Sequence, residues 1–292
     1  MTNNITIGKV YLVGAGPGAA DLITVRGAKL LEQADIVFHD ALVEPQMLDL
    51  CPKAVKEAVG KRCGKLSSAQ KFINKRLVDA AKKYKIVIRL KGGDPMMFGR
   101  ADEEIQALKD AGIEVEVVPG ITAALAGAAS LQKSLTLRGV SRSVAFITLA
   151  QAADDQALTD GKTSHPIVSP NADTLVYYMG RKDAARIAEQ LIAQSTQNNA
   201  SEKISNHGPN TPVHILEAVS TPRERQWFST LAQLAAGKAD QWFDSSSPAL
   251  IMIGQALEQK ASEKLELQES LGLNTSTPSN KNQARLKMKL AH

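Results

Sequence analysis

Short apolar runs closed by glycine or proline alternate with amphipathic stretches along most of this chain. Lys9–Val13 has the composition of a buried strand and ends at Gly14. Apolar residues then recur at helical spacing over Asp21–Gln33, and a second strand is predicted over Asp35–His39, so the chain opens as a βαβ unit. Further strands are predicted near Ala54–Val59, Ile86–Leu90 and Glu114–Val118, with helices over Ala69–Lys82 and Asp102–Ala111. Strand and helix in alternation imply a parallel sheet covered on both faces. After Pro119-Gly120, a small-residue helix over Thr122–Leu131 leads into the polar segment Gln132–Ser143, read as a domain crossing. The second half carries strands near Val144–Thr148, Leu175–Tyr178, Pro212–Ala218 and Ala249–Gly254 and a helix over Asp183–Gln194. Arg225–Ser229 reads as an added hairpin strand, which makes that sheet mixed, and Asn198–Asn210 as a polar loop. The fold class expected is therefore α/β, with two α/β domains (residues 1–132 and 133–257), the first sheet mostly parallel and the second mixed, and a cleft between them. Beyond Glu258 the pattern lapses into a polar, Lys-rich run, expected to be a basic flexible tail over residues 258–292.

Composition narrows the function. A chain of 292 residues has room for two cores. It is 43% hydrophobic and 22% charged, as a soluble globular protein would be, and its 4% aromatic content supplies no base-stacking surface. The formal charge of +5 owes several of its cations to the tail, so bulk charge makes no case for nucleic acid. Cys51 and Cys63 are too few for a disulfide framework and lack metal-site spacing, which fits a reducing cytoplasm and no metal. The most apolar stretch, Val117–Leu131, is interrupted by Pro119-Gly120 and is too short to span a bilayer.

The segment RLKGGDPMMFGRADEE, Arg89–Glu104, carries the most chemistry. A strand runs into Gly92-Gly93, where a missing Cβ lets a ligand approach the backbone, then into Asp94-Pro95 and a helix bearing Arg100 and Glu103 on one face. Open α/β sheets bind ligands at such strand ends. The first strand runs into GAGPG, Gly14–Gly18, a loose match to the dinucleotide pattern with Asp35 about twenty residues on. A nicotinamide-dependent dehydrogenase is therefore an alternative, although Pro17 inside the loop has no amide to give a phosphate. Asp40 and Lys61, at two further strand ends, have the residue types of proton carriers. Arg100, Arg138 and Lys61-Arg62 suit an anionic substrate. Met179, in the strand end Tyr177–Gly180, and the turn EAVSTP, Glu217–Pro222, would border the same cleft.

Together VGAGPGAADLITVRGAKLL, ADIVFHDALV, VGKRCG, the Gln70-x-x-Ile73-Asn74 helix, VIRLKGGDPMMFGR, VVPGITAA, LTLRGVSRS, TLVYYMG and SPALIMIG resemble the tetrapyrrole methylases, and within them the uroporphyrinogen-III C-methyltransferases. The resemblance spans Val10 to about Gly254. It implies a homodimer of two-domain subunits that uses S-adenosylmethionine to methylate C2 and C7 of uroporphyrinogen III, giving precorrin-2 by way of precorrin-1 for siroheme, cobalamin or heme d1. Later steps would fall to other proteins. Carried over by position, it puts Pro17, Gly92, Gly93, Asp94, Met97, Thr122, Ala123, Met179 and Val219 at the cofactor, which leaves as S-adenosylhomocysteine. Arg100, Glu103, Arg138 and Met179 fall at the substrate, whose eight carboxylates give the cations a purpose. Asp40 and Lys61 match proton acceptor and donor, and either Asp40 or Arg100 would deprotonate the methylated ring. The chain departs from the family pattern at Leu137 and Ala150, where relatives commonly have histidines, at Ala101-Asp102 in place of a glycine pair, and at Val219 in place of a glycine. These departures keep two further alternatives open: a methylase of a later corrin precursor, and a homologue that binds without turnover.

Overall fold

The computed structural model describes residues 7–59, 66–149, 169–196 and 207–258. Residues up to Leu257 belong to one compact unit. Its first sheet contains β1 (Lys9–Gly14), β2 (Ile36–His39), β3 (Val55–Ala58), β4 (Ile86–Lys91) and β5 (Val115–Val118), in the order β3-β2-β4-β1-β5. Every pairing is parallel, with Lys9 opposite Ile86 and Ile36 opposite Val87.

Both faces of this sheet are covered, and side-chain alternation along the strands decides what covers each. Val13, Val37, Ile88, Leu90 and Val118 pack against α1 (Val25–Gln33) and the turn of 3₁₀ helix Pro45–Leu50. Val10, Leu12, Ile36, Phe38 and Val87 pack against α2 (Leu66–Ala81) and α3 (Ala101–Asp110). β1 leads through α1 to β2 on one side, and β4 leads through α3 to β5 on the other. The neighbouring strands β1 and β4 thus depart in opposite directions, which opens a crevice at their carboxyl ends.

The second sheet has the order β6-β7-β10-β8-β9, from β6 (Val144–Thr148), β7 (Thr174–Tyr178), β8 (Pro212–Glu217), β9 (Arg225–Thr230) and β10 (Ala249–Gly254). Only β6 and β7 run parallel among these pairs, so the sheet is mixed and Arg225–Thr230 is indeed a hairpin partner of β8. One face packs on α5 (Ala184–Thr196) and α6 (Leu231–Ala235). The other packs on α4 (Ala123–Ser130), which follows β5 of the first sheet yet lies against Leu216, Leu250 and Met252 of the second. The small residues of α4 permit this approach, as Gly127 shows by facing those three side chains within van der Waals range.

Several expectations shift locally. The helix expected over Asp21–Gln33 is a 3₁₀ turn at Ala20–Leu22 followed by α1, because the Thr24 side chain accepts the Gly27 N–H (3.2 Å) and starts a fresh helix there. The helix expected from Asp183 is preceded by a 3₁₀ turn at Arg181–Asp183. Neither α6 nor the Pro45–Leu50 turn was expected; each is too short to show a helical period. The tail after Glu258, most of the loop Asn198–Asn210, Lys61, Arg62, Cys63 and Ala150 lie outside the described residues.

Candidate active site

Three turns converge at the carboxyl ends of β1, β4 and β5 by backbone-to-backbone contact. Gly16 and Gly93 exchange two hydrogen bonds, Gly16 N–H to Gly93 O (3.1 Å) and Gly93 N–H to Gly16 O (2.7 Å). A Cβ on Gly120 would sit 2.2 Å from Gly93 O, and one on Gly14 would sit 2.5 Å from the Cα of Gly120. The chain can cross here only as glycine. The Asp94 carboxylate completes the knot, accepting the N–H of Gly120 (2.8 Å) and of Met96 (2.8 Å). In this state Asp94 ties the β4 turn to the β5 turn.

Gly93 differs from its neighbours. Its φ is +68°, and a Cβ there would meet only the Cα of Thr122, at 3.9 Å. Its amide and carbonyl are committed to Gly16, so what the residue offers a ligand is space, a niche that any side chain would enter. Pro17, Gly92, Met97 and Ala123 are half-buried around these turns, and the Met97 N–H donates to Asp94 O (3.2 Å).

Loops of the second sheet close over this edge. The Ala19 N–H donates to Ser220 Oγ (3.1 Å), and Arg223 reaches Glu44 (3.0 Å). Thr122 Oγ1 and the Tyr178 hydroxyl share a hydrogen bond (2.6 Å), and that hydroxyl also accepts the Ala124 N–H (3.1 Å). Burial pushes the Tyr178 pKa up, so the hydroxyl keeps its proton. The ring of Phe98 lies 5.1 Å from that of Tyr178. Met179, 55% exposed, and the buried Val219 occupy the two loops that follow β7 and β8.

Backbone strain collects at the same place. Phe98, Arg100, Met179, Ala218 and Ser220 all have φ between 49° and 58°, and the only other non-glycine residue with positive φ among those described is Gln132. Left-handed L-residues persist where surroundings over-determine them, and they cluster at ligand sites.

The expected charged residues divide into groups. Asp40, at the end of β2, accepts from Arg89 Nη2 through Oδ1 (2.5 Å) and keeps 29% of its side chain exposed. Arg100 grips Glu103 through Nε to Oε1 (2.6 Å) and Nη2 to Oε2 (2.8 Å), with both side chains more than two-fifths exposed at the start of α3. Arg138 is exposed between α4 and β6 and makes no hydrogen bond or ion pair among the described residues.

Arg89, Lys91, Glu104, Tyr178, Phe98, Ser220 and Gly120 were not singled out from the sequence as site residues. Arg89 and Lys91 had a legible signal: two cations at period two in a strand otherwise apolar enough to be central.

The glycine loop is not a dinucleotide cradle. Only a three-residue 3₁₀ turn at Ala20–Leu22 follows the loop, α1 starts at Val25, and the Gly16 amide is spent on Gly93, so no α-helix amino-terminus opens directly from the loop toward a pyrophosphate. An uncrowded glycine turn at a topological switch point, with strained loops of both sheets nearby, defines a small-molecule-binding α/β protein of the two-sheet kind.

Relatives give that class a narrower identity. Residues 9–235 match the family described as Tetrapyrrole (Corrin/Porphyrin) Methylases, and the chain belongs to that family. It is 42% identical over 258 residues to a siroheme synthase of Pseudomonas fluorescens (strain Pf0-1), covering 87% of this chain and 51% of that one. The chain thus spans about half the length of the siroheme synthases it matches. It is 38% identical over 262 residues to a uroporphyrinogen-III C-methyltransferase of Pseudomonas aeruginosa, covering 89% of this chain and 98% of that one. A solved uroporphyrin-III C-methyltransferase from Thermus thermophilus, complexed with S-adenosylhomocysteine, superposes with a TM-score of 0.68 at 33% identity, covering 86% of this chain and 94% of that one. Among the described residues no helix is long and apolar enough to cross a membrane, and no cluster of His, Cys, Asp or Glu could hold a metal ion.

Proposed function

We propose that this protein is a methyltransferase that uses S-adenosylmethionine to methylate uroporphyrinogen III at C2 and C7, yielding precorrin-2 through precorrin-1. The observation that carries the reading is the Gly93 niche, whose open wall would be filled by any residue with a Cβ. When bound, S-adenosylmethionine supplies a methyl group already activated as a sulfonium. Pro17, Gly92, Gly93, Asp94, Met97, Thr122, Ala123, Met179 and Val219 would hold it, Asp94 by fixing the turn. The fit is chemically sensible: these residues offer backbone, small or thioether groups apart from Asp94, and none carries a positive charge to repel a sulfonium.

The macrocycle would lie over Met179 and the start of α3, with Arg100, Glu103 and Arg138 addressing its carboxylates. An electron-rich pyrrole carbon needs alignment more than activation, so the protein's work is to orient it in a dry seam and remove one proton. We assign that proton to Asp40, which follows β2 and is part-exposed, and give Lys61 a matching donor role. Arg100 serves better as a carboxylate clamp, since a guanidinium is a poor base. The subunit would act as a homodimer in the cytoplasm.

Anaerobic incubation of uroporphyrinogen III with methyl-labelled S-adenosylmethionine tests the reading. Label should appear in a dimethylated product. Binding of S-adenosylhomocysteine without label in any tetrapyrrole would leave only a binding protein, and binding of neither would overturn the proposal.

A further inference from the structure

Four charged side chains stand in a row beneath the β4 turn, on the face covered by α2 and α3. Arg89 Nε donates to Glu104 Oε1 (3.0 Å), Arg89 Nη2 donates to Asp40 Oδ1 (2.5 Å), and Lys91 Nζ donates to Glu104 Oε2 (3.0 Å). Gln70 Nε2 adds a bond to Glu104 Oε1 (3.1 Å), and Arg89 Nη1 donates to the carbonyls of Leu90 (3.2 Å) and Phe38 (3.5 Å). The side chains of Arg89, Glu104 and Lys91 are 3%, 0% and 4% exposed, against 29% for Asp40. The charges alternate and sum to zero, and only the Asp40 end is appreciably exposed.

Such a row is a poor way to hold a fold together. Desolvating two cations and a carboxylate costs about as much as their attraction returns, and an apolar core of the same volume would serve as well or better. What ionic packing gives instead is orientation. Every edge of the Arg89 guanidinium is anchored, so the nitrogen aimed at Asp40 has one available position. Without Glu104, Arg89 would keep only the part-exposed Asp40 as a counter-charge; without Lys91, Glu104 would keep only Arg89. Burial, helped by the nearby Arg89, pushes the Lys91 pKa down, while Glu104 works to keep the ammonium charged.

We propose that Arg89, braced by Glu104 and Lys91, is a positioning residue that fixes the Asp40 carboxylate by Oδ1 and leaves Oδ2 to take the proton from the methylated macrocycle. This deepens, and rests on, the assignment of the proton to Asp40. Among the described residues Oδ2 has no hydrogen-bond partner, as a group kept for substrate should not.

A double-mutant cycle on the full chain tests it, reading kcat, KM for uroporphyrinogen III and affinity for S-adenosylhomocysteine. Asp40→Asn should lower kcat by about a hundredfold or more. Arg89→Met, which keeps the side-chain bulk, should lower kcat by roughly ten- to a hundredfold, as misplacement of a reacting group does, with KM and S-adenosylhomocysteine affinity within about twofold. Adding Arg89→Met to Asp40→Asn should cost less than about a further twofold, because the residue acts through a carboxylate already gone. Equal fold losses in both backgrounds would reject the positioning role while leaving Asp40 as the base. Full turnover by Asp40→Asn would reject the assignment beneath it as well. Arg89→Lys retains the charge but cannot fork between two carboxylates, so it should resemble Arg89→Met; restored kcat would also overturn the proposal. If Arg89→Met fails to fold, Glu104→Gln, which keeps the shape and loses the charge, goes through the same cycle under the same criterion.

Discussion

Replacing Gly93 by alanine separates the ligand niche from the fold, because Gly112 supplies a matched control. The two glycines have nearly the same backbone, φ +68° and +67°, and neither is crowded: a Cβ at Gly93 meets one atom at 3.9 Å, and one at Gly112 meets nothing within 4 Å. The stability cost should therefore be the same for both. An L-residue in the left-handed region costs roughly 1–2 kcal/mol. Lower unfolded-state entropy returns about 0.4–1 kcal/mol of that, leaving a net loss near 1 kcal/mol. At this size that lowers Tm by about 2–4 °C. Binding should diverge. The Gly93 methyl projects into the space assigned to the cofactor, and an extra methyl in a filled site costs typically 1–3 kcal/mol. Titration calorimetry with S-adenosylhomocysteine should thus find Gly93→Ala weaker by about five- to 150-fold, with Gly112→Ala unchanged. Equal affinities at equal Tm would place the ligand elsewhere and refute the reasoning.

Asp94→Ala removes the bonds to the Gly120 and Met96 amides, each of the charged kind worth about 1.5–3 kcal/mol; calorimetry should show a Tm lowered by several degrees together with weaker S-adenosylhomocysteine binding. Tyr178→Phe leaves the buried Thr122 hydroxyl and Ala124 amide without their shared partner, a loss of about 1–3 kcal/mol that the same scans should register. Asp244, whose carboxylate accepts from the Ser246 amide and hydroxyl and the Ser247 hydroxyl, has its pKa lowered from 3.8 to about 2. A carboxylate with a depressed folded-state pKa stabilises the fold fully above the unfolded value and loses that contribution as pH falls through the folded one. Tm should therefore drop between about pH 4 and pH 2 less steeply in Asp244→Asn than in the parent; identical slopes would exclude the contribution.

The two sheets and their contents were legible because periodicity reports burial. Ile86–Leu90 and Ala249–Gly254 read as strands, and they lie at the centre of their sheets, with neighbours on both sides. The helix starts were less legible because a cap is a single side chain; Thr24 resets a helix that the apolar spacing alone would carry back to Asp21. At the site, GGDP marked the turn, but its closest contacts are between glycines remote in sequence, Gly14 with Gly120 and Gly16 with Gly93, and no local pattern encodes such a crossing. Asp40 could be placed at a strand end, whereas its partner Arg89 could not be named, since which strands are neighbours decides which charges meet. The order β2-β4-β1, with β4 inserted between two strands that precede it, is what brings Arg89 beside Asp40.

The same topology explains why the strained residues lie where they do. Arg100 and Phe98 follow β4, Met179 follows β7, and Ala218 and Ser220 follow β8, so both sheets contribute loops bent into the left-handed region at one seam. Each such residue costs on the order of 1–2 kcal/mol, a penalty that a free loop would shed by relaxing. Here the loop carrying Ser220 is held by residues of other elements. The Ser220 N–H donates to Glu224 Oε2 (2.6 Å) while its hydroxyl receives the Ala19 N–H, and Glu224 is bound in turn by Ser130 of α4 and Gln226 of β9. The glycine loop of the first sheet is thereby latched to a turn of the second through one serine. A niche assembled from two sheets keeps its shape only while they stay in register, and at Ser220 the bonds that join the sheets also hold a strained residue. Ligand geometry and the joining of the two halves are for this reason a single structural property.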